Sequence, residues 1–420
     1  MNQAVILAAG ESSRFWPLNS KHKTLFKIMG KPLIYYTIEG VIKSGIKDII
    51  IVQGQNRQAE EELKSFTFKG VNLKYVIQPE PKGMGNALFY AKNYLQDQFF
   101  VLNAERIDAQ KYIHLILNKQ KSVSSKLILL GSETDNPQLY GIISHKEDKI
   151  IGVVEKPEKG KEPSKIKVVG IYYLPKDFFD YYEKVQEHMY AFEDSIDAYV
   201  KNNDCRWIET KDETLPLKYP WHIFEITKYI FDNYLENKKS KTAQIDKSVK
   251  IVGKVFIGEN VKIFENAVIK GPCYIGDNSI IGNNAVVRDY VNLGSSAMIG
   301  ANMEITRSIF EQDVHVHSGY IGDSVFSKGC RVGAGTITAN ARIDRGEIST
   351  IVKEDKVKTG LKSLGVLMGE NSRTGIHCSL MPGVMIGNDC IIGSHSAVFK
   401  NIANNTNFYN KFEEIKEKKD

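Results

Sequence analysis

From Ala243 onward the chain counts in sixes. Ile245, Ile251, Ile257, Ile263, Ile269, Ile275, Ile281, Val287, Leu293, Ile299 and Ile305 stand six residues apart, and no polar residue interrupts the series. Two places before each lies a small or aliphatic residue, from Ala243 and Val249 to Ala297 and Met303. The spacing lapses between Phe310 and Leu364 and resumes at Met368, Thr374, Leu380, Ile386, Ile392 and Val398. Helices repeat at 3.6 residues and flat strands at 2, so neither explains a strict six. A triangular coil does. Each hexad supplies one face, the aliphatic side chain points into the prism, and Gly or Asn in "IGEN", "IGDN" and "IGNN" takes left-handed backbone angles at low cost. Residues 243–405 are therefore predicted to form a left-handed parallel β-helix, with 406–420 as a polar tail of helical tendency.

The first 225 residues keep other periods. "AVILAA", "DIIIVQ", "LKYVIQ", "FFVLNA" and "KLILLG" are short β-rich runs, and "PLIYYTIEGVIKSG" and "GNALFYAKNYLQ" between them carry helical spacing. Such alternation predicts an α/β, Rossmann-like domain over 1–225, with a mostly parallel sheet covered on both faces. Residues 226–242 read as a linker helix. A length of 420 residues exceeds one ordinary core and agrees with two domains. No window holds eighteen consecutive apolar residues and the beginning lacks the layout of a signal peptide, so no membrane span and a cytoplasmic location are expected. The net charge of +6 is spread without a dense basic block, which argues against nucleic acid as the main partner and leaves small anions compatible. The five cysteines have no CxxC spacing and read as small apolar residues.

The first apolar run ends in Leu7-Ala8-Ala9-Gly10, and Arg14, Lys21, Lys23, Lys27 and Lys31 follow within about twenty residues. A turn after the first strand of an α/β sheet lies at the carboxyl edge, where ligands bind and free backbone N–H groups can line an anion. Arg14 and Lys23 add positive charge suited to neutralising phosphates. Spacing alone leaves a solvated basic face as the alternative.

With its surroundings this stretch resembles the signature of sugar-1-phosphate nucleotidyltransferases. Further matches come in order: Gln78 with "KGMGNA" and its Gly83, Tyr140-Gly141, "EKP" at Glu155 to Pro157, and Gly170-Ile171-Tyr172. The resemblance implies that Leu7, Ala8, Ala9, Gly10, Gln78 and Gly83 bind a nucleoside triphosphate, UTP or dTTP. It implies also that Gly141, Glu155, Lys156 and Gly170 line a hexose- or hexosamine-1-phosphate. The reaction implied is in-line attack of the sugar-phosphate oxygen on the α-phosphorus, releasing pyrophosphate, with Mg²⁺ sharing the phosphate charge. Arg14 would stabilise the departing pyrophosphate and Lys23 the α-phosphate.

The departures fall on the metal. Where the family shows Gly-Asp this chain has Ala104-Glu105, so the candidate metal ligand is Glu105, reaching about 1.5 Å further, one carbon–carbon bond. Near "ETLPLKYPWHIF" only Asp212 or Glu213 could supply a second carboxylate, and His222 follows Trp221 where the family has Asp. His22 replaces a usual Pro and Met84 a usual Thr. Two other readings stay open: an acetyltransferase with an impaired front domain, and a non-catalytic scaffold that holds nucleotide sugar.

The lapse in the hexads contains "HVHSGYIGDSVFSKGCRVGAGTITANARID". His315 and His317 on one strand make a poor metal site without further ligands. The run resembles the acetyltransferase segment of the bifunctional N-acetylglucosamine-1-phosphate uridyltransferase family and its archaeal relatives. That resemblance implies acetyl-CoA as co-substrate, with His317 removing a proton from the attacking amine, Tyr320 and Asn340 positioning the amino sugar, and Ala334 meeting the acyl-CoA. Imidazole as a class suits the task because it titrates near neutral pH. Arg331 and Ala341 depart from the uridyltransferase subgroup, where Asn and an aromatic residue stand. A homotrimer, with the CoA groove between subunits, is implied as well.

Overall fold

A computed structural model describes residues 3–123, 125–211 and 215–416. The chain divides into two compact units, one of residues 1–11 and 32–216, the other of 12–31 and 217–420. The basic segment 12–31 is thus grouped with the solenoid.

The front unit is built on strands β1 (Gln3–Ala8), β2 (Asp48–Gly54), β3 (Asn72–Gln78), β4 (Gln98–Asn103), β5 (Ile128–Glu133), β6 (Gly141–Lys146), β7 (Lys149–Glu155), β8 (Ile166–Pro175) and β9 (Arg206–Glu209), which form one sheet in the order β3-β2-β1-β4-β8-β5-β9-β7-β6. The first four run parallel, as the crossovers through α1 (Leu33–Lys43), α2 (Gln58–Leu63) and α3 (Met84–Ala91) require. Beyond them the sheet is mixed, contrary to the mostly parallel expectation. β6 and β7 form a hairpin, and the ten-residue β8 returns without a helix, antiparallel to both β4 and β5. Ala4, Val5 and Ile6 are fully buried, as are Ile49, Ile51 and Val52, which is why these strands read as continuous apolar runs. α1 lies so close to α4 (Ala109–Gln120) that a Cβ on Gly40 would come within 3.1 Å of the Gln110 backbone nitrogen.

In the rear unit the helix α5 (Ile223–Tyr234) precedes the coil, whose first strand is Lys238–Lys239 and last is Asn407–Phe408. The coil therefore begins ahead of Ala243, and the segment after Phe408 carries no helix among the described residues. Its strands sort into three parallel ladders, and Ile245 pairs with Ile263, Ile263 with Ile281, Ile281 with Ile299. Three hexads make one turn. The hexad residues from Ile257 to Ile305 are buried together in one core, and Asn260, Asn266, Asn278, Asn284 and Asn302 turn corners at φ of 54 to 59°. The lapse in the sequence is no break in the coil. Glu304 pairs with Tyr320 and His315 with Arg331, turns of sixteen residues rather than eighteen. Val325 then pairs with Leu367, and between them an antiparallel arm, Ser349–Val352 with Asp355–Lys358, leaves the coil.

Candidate active sites

In the front unit β1 delivers the chain to Ala9 and Gly10, and a Cβ on Gly10 would find no protein atom within 4 Å. The Leu7 carbonyl accepts from the Ala104 nitrogen at 3.1 Å, so the turn and the end of β4 are tied side by side. The result is an open shelf at the carboxyl ends of parallel strands, where α/β sheets bind ligands. Gln78 closes β3 with a buried side chain whose amide nitrogen donates to the Gly83 carbonyl at 3.2 Å and to Asn86 Oδ1 at 2.9 Å. It shapes the "KGMGNA" turn, an engagement that sequence did not reveal. The turn requires glycine: Gly83 has φ of 99°, and a Cβ there would lie 2.6 Å from the Met189 carbonyl oxygen.

Gly141 and Glu155 face each other across the β6–β7 hairpin, and a Cβ on Gly141 would meet Glu155 Oε2 at 2.9 Å. Lys156, with φ of 46°, donates its backbone N–H to the Tyr140 carbonyl at 3.0 Å and its Nζ to the Tyr190 hydroxyl at 2.6 Å. Gly170, on β8, leaves room for the Asn103 amide, which a Cβ would approach to 2.9 Å. Bare glycine backbone beside a carboxylate and an ammonium is a floor on which a flat polyol phosphate can lie. Sequence reading missed Glu193, on the helix Ala191–Asn202, where burial first and Glu155 second push its pKa up to about 7. Glu155 is raised too, by burial, against the pull of Lys156. No motif marked Glu193; only the fold brings it to Glu155.

Ala104 is fully buried, its carbonyl accepting from the Thr37 hydroxyl at 2.8 Å, which fixes the start of Glu105 at the end of β4. Beside it Arg106 and Asp108 form a buried ion pair, and burial raises the Asp108 carboxyl although Arg106 opposes it. No cluster of three His, Cys, Asp or Glu side chains able to hold a metal occurs among the described residues. Asp212 and Glu213 lie outside those residues. One carboxylate suits an ion held largely through substrate phosphates, as Mg²⁺ commonly is, and not a closed protein cage.

In the rear unit Arg14 is exposed on the single turn Ser13–Phe15, and Lys23 opens the turn Lys23–Leu25. Ser12 Oγ accepts from the Lys23 nitrogen at 2.9 Å, and Lys23 Nζ donates to the Leu217 carbonyl at 2.9 Å. The segment packs on the coil: Trp16 Nε1 donates to Asn404 Oδ1 at 3.0 Å, Ser20 Oγ to Glu370, and the Met29 nitrogen to Asn292 Oδ1 at 2.8 Å. His222 Nδ1 accepts from the backbone nitrogens of Lys218 and Tyr219, and burial, then the charges of Lys218 and Lys23, push its pKa down to about 4. A neutral imidazole in that position is a structural acceptor and supplies no metal carboxylate.

On the coil His317 is exposed, its backbone N–H donating to the Val332 carbonyl at 3.1 Å. A cavity of about 210 Å³ beside it is lined by Met298, Gly300, His315, Arg331, Gly333 and Thr374 among others. Tyr320 and Asn340 do come together: the Asn340 amide reaches the Tyr320 hydroxyl at 3.4 Å. Asp323, which the sequence reading passed over, anchors them. It is 7% exposed, accepts from Arg307 at 2.6 and 2.9 Å, and accepts from Asn340 as well. Ala334 accepts at its carbonyl from the His377 nitrogen at 2.8 Å. Arg331 is engaged by Asp313, which also meets His315 at 3.0 Å.

Residues 3–212 match the family described as nucleotidyl transferase, and 254–289 with 365–400 match the bacterial transferase hexapeptide. The chain is 33% identical to a bifunctional protein GlmU of Methanococcus maripaludis over 99% of both chains. It is 32% identical to a bifunctional sugar-1-phosphate nucleotidylyltransferase/acetyltransferase of Sulfurisphaera tokodaii, covering 92% of this chain and 94% of that one. Among solved structures it resembles an apo UDP-glucose pyrophosphorylase, at 21% identity and a TM-score of 0.48 over 56% of this chain and all of the other.

Proposed function

This chain belongs to the family of bifunctional sugar-1-phosphate nucleotidylyltransferase/acetyltransferases, and on that premise we propose two reactions, one for each unit. The front unit joins a nucleoside triphosphate, UTP or dTTP, to a sugar 1-phosphate and releases pyrophosphate. The coil transfers an acetyl group from acetyl-CoA to the amine of an amino-sugar 1-phosphate. The observation that carries the reading is the pairing, in one chain, of an open strand-end shelf beside a glycine-floored Glu155–Lys156 pocket with a coil on which an exposed His317 lines a cavity and Asn340 meets Tyr320.

In the first reaction the Leu7–Gly10 turn holds the triphosphate, Gln78 and Gly83 form the wall for the base, and Lys156 grips the sugar phosphate while Gly141, Glu155 and Gly170 orient the ring. Lys23 steadies the reacting phosphate and Arg14 the departing pyrophosphate, since charge spread over phosphate oxygens is what this chemistry must stabilise. Glu105 is the residue that would hold Mg²⁺, which when bound shares the triphosphate's negative charge. In the second reaction His317 takes a proton from the amine as its nitrogen bonds to the thioester carbon. The carbon–sulfur bond breaks, and the departing sulfur takes that proton from His317, so that CoA leaves as the thiol. Asn340 and Tyr320 orient the sugar, and the backbone at Ala334 faces the acyl-CoA.

The enzyme works in the cytoplasm as a homotrimer in this reading. No helix among the described residues is long and apolar enough to cross a membrane, and Ile337, Ile391 and Phe399 leave apolar surface exposed on the coil. Pyrophosphate release from each triphosphate with a sugar 1-phosphate, and free thiol release from acetyl-CoA with an amino-sugar 1-phosphate, test the two halves separately. Absence of either product across a substrate panel removes that activity.

A further inference from the structure

We propose that Arg331 recognises the acceptor's phosphate on the coil, and that it thereby restricts acyl transfer to amino sugars whose phosphate lies beside the amine. The inference rests on the acyl-transfer reading above and names a specificity-determining residue within it.

Arg331 and His317 line the same cavity. The guanidinium is held from one side. Its Nη1 donates to the carbonyl of Asp313 and, at 3.0 Å, to that of Cys330, while its Nη2 donates to Asp313 Oδ2 at 2.8 Å. The other carboxylate oxygen of Asp313 meets His315 Nε2 at 3.0 Å, so one acid steadies two side chains of the cavity wall. A guanidinium carries five N–H groups, and these bonds use three of them. What remains is Nε–H with the outer N–H of Nη2, the parallel pair that fits two oxygens of a phosphate. The side chain is 34% exposed, and its unpaired Nε is reached by solvent, unlike the sealed Nε of Arg106 or Arg206. Arg307 differs, because its Nε and Nη2 are both spent on Asp323.

The ladder adds charge in register. His315 pairs with Arg331, and Arg331 with the exposed Arg373. Like charges opposed on neighbouring strands repel, and the one carboxylate of Asp313 does not balance two guanidiniums. A bound anion does. Both substrates carry phosphate, and the bonds between phosphate and reacting atom tell them apart. In a 2-amino sugar 1-phosphate the phosphorus lies four bonds from the amine nitrogen that His317 deprotonates, whereas the diphosphate of CoA lies more than ten bonds from the thioester carbon. A cavity that holds both His317 and Arg331 therefore seats the acceptor's phosphate.

The test reads acceptor discrimination in the intact protein. Thiol release from acetyl-CoA gives kcat/KM for glucosamine 1-phosphate, glucosamine 6-phosphate and glucosamine in the wild type, in Arg331→Gln and in Arg331→Lys, with the KM for acetyl-CoA alongside. The wild type should prefer the 1-phosphate at least tenfold over either alternative. Arg331→Gln should shrink that preference at least fivefold, and Arg331→Lys, which has charge without the fork, should fall between. The KM for acetyl-CoA should move less than the KM for the acceptor. If the wild type treats the three acceptors within threefold, or Arg331→Gln slows glucosamine as much as its 1-phosphate, the inference is overturned while acyl transfer stands. If the loss falls on the KM for acetyl-CoA, the phosphate gripped is the coenzyme's and the assignment to the acceptor is overturned. Should no acceptor be acetylated, calorimetry with glucosamine 1-phosphate decides separately: weaker binding to Arg331→Gln than to the wild type keeps the phosphate site while the transfer reading falls, and unchanged binding overturns both. Should the Gln variant fail to fold, Arg331→Lys decides alone, and a preference within threefold of the wild type's overturns the inference.

Discussion

At Asp323 a nearly buried carboxylate accepts from Arg307 and Asn340, and Asn340 in turn reaches Tyr320. Asp323→Asn keeps the outline and removes the charge, leaving Arg307 with a weaker partner and Asn340 facing another amide. The KM for the amino-sugar acceptor should rise about tenfold or more, while the KM for acetyl-CoA moves much less, as steady-state thiol release would read. An unchanged acceptor KM would mean that Asn340 holds its place unaided. His317→Ala should lower kcat for acyl transfer by roughly two to four orders of magnitude, the usual worth of a positioned base, with thermal unfolding almost unmoved because the side chain is exposed. His222 works through stability. The unfolded chain takes up its proton near the ordinary histidine value of about 6.5 and the folded chain only near 4. Its contribution is therefore complete above pH 6.5 and drains away as the pH falls toward 4, by at most about 3 kcal/mol. His222→Asn should flatten the loss of thermal stability between pH 7 and pH 5.

Among the elements, the coil was legible because its repeat is set by backbone geometry that every turn must satisfy. Ile245 to Ile305 fall where the sixes put them, and the asparagines turn the corners. Ile281→Ala in mid-coil should cost about 2–5 kcal/mol, measured by denaturant unfolding, since the buried stack around it leaves little room to collapse. Gly300→Ala should be harsher, because its new Cβ would run into the backbone carbonyl of His317, and acyl transfer should fall with the histidine still present. What could not be read was the stretch after Phe310. A shortened turn such as Glu304 to Tyr320 erases the period while keeping the ladder, so periodicity mistakes a tighter coil for an interruption. In the front unit the parallel strands announced themselves as apolar runs, but β8 did not announce its direction, which only its long-range pairing with β4 and β5 decides. The candidate sites were legible where motif and fold coincide, as at Glu155 and Lys156. They were invisible where partners meet only in three dimensions, as at Glu193 and Asp323.

The whole chain divides in a way that no single cut along the sequence reproduces. Segment 12–31, which carries Arg14 and Lys23, belongs to the compact unit of the coil, while the turn Leu7–Gly10 just ahead of it belongs to the front unit. Asn292 sits on a coil strand, almost fully buried, and accepts from the Met29 nitrogen while its own amide reaches the Phe310 carbonyl. Asn292→Ala unfastens that segment without touching His317. It should lower the stability of this unit by about 1–3 kcal/mol in denaturant unfolding, since the Met29 N–H and the Phe310 carbonyl both lose their partner. For anyone grafting the front of one relative onto the rear of another, the splice has three seams. Twenty residues near the beginning must travel with the far end, or the hybrid inherits a basic segment tailored to a coil it no longer possesses.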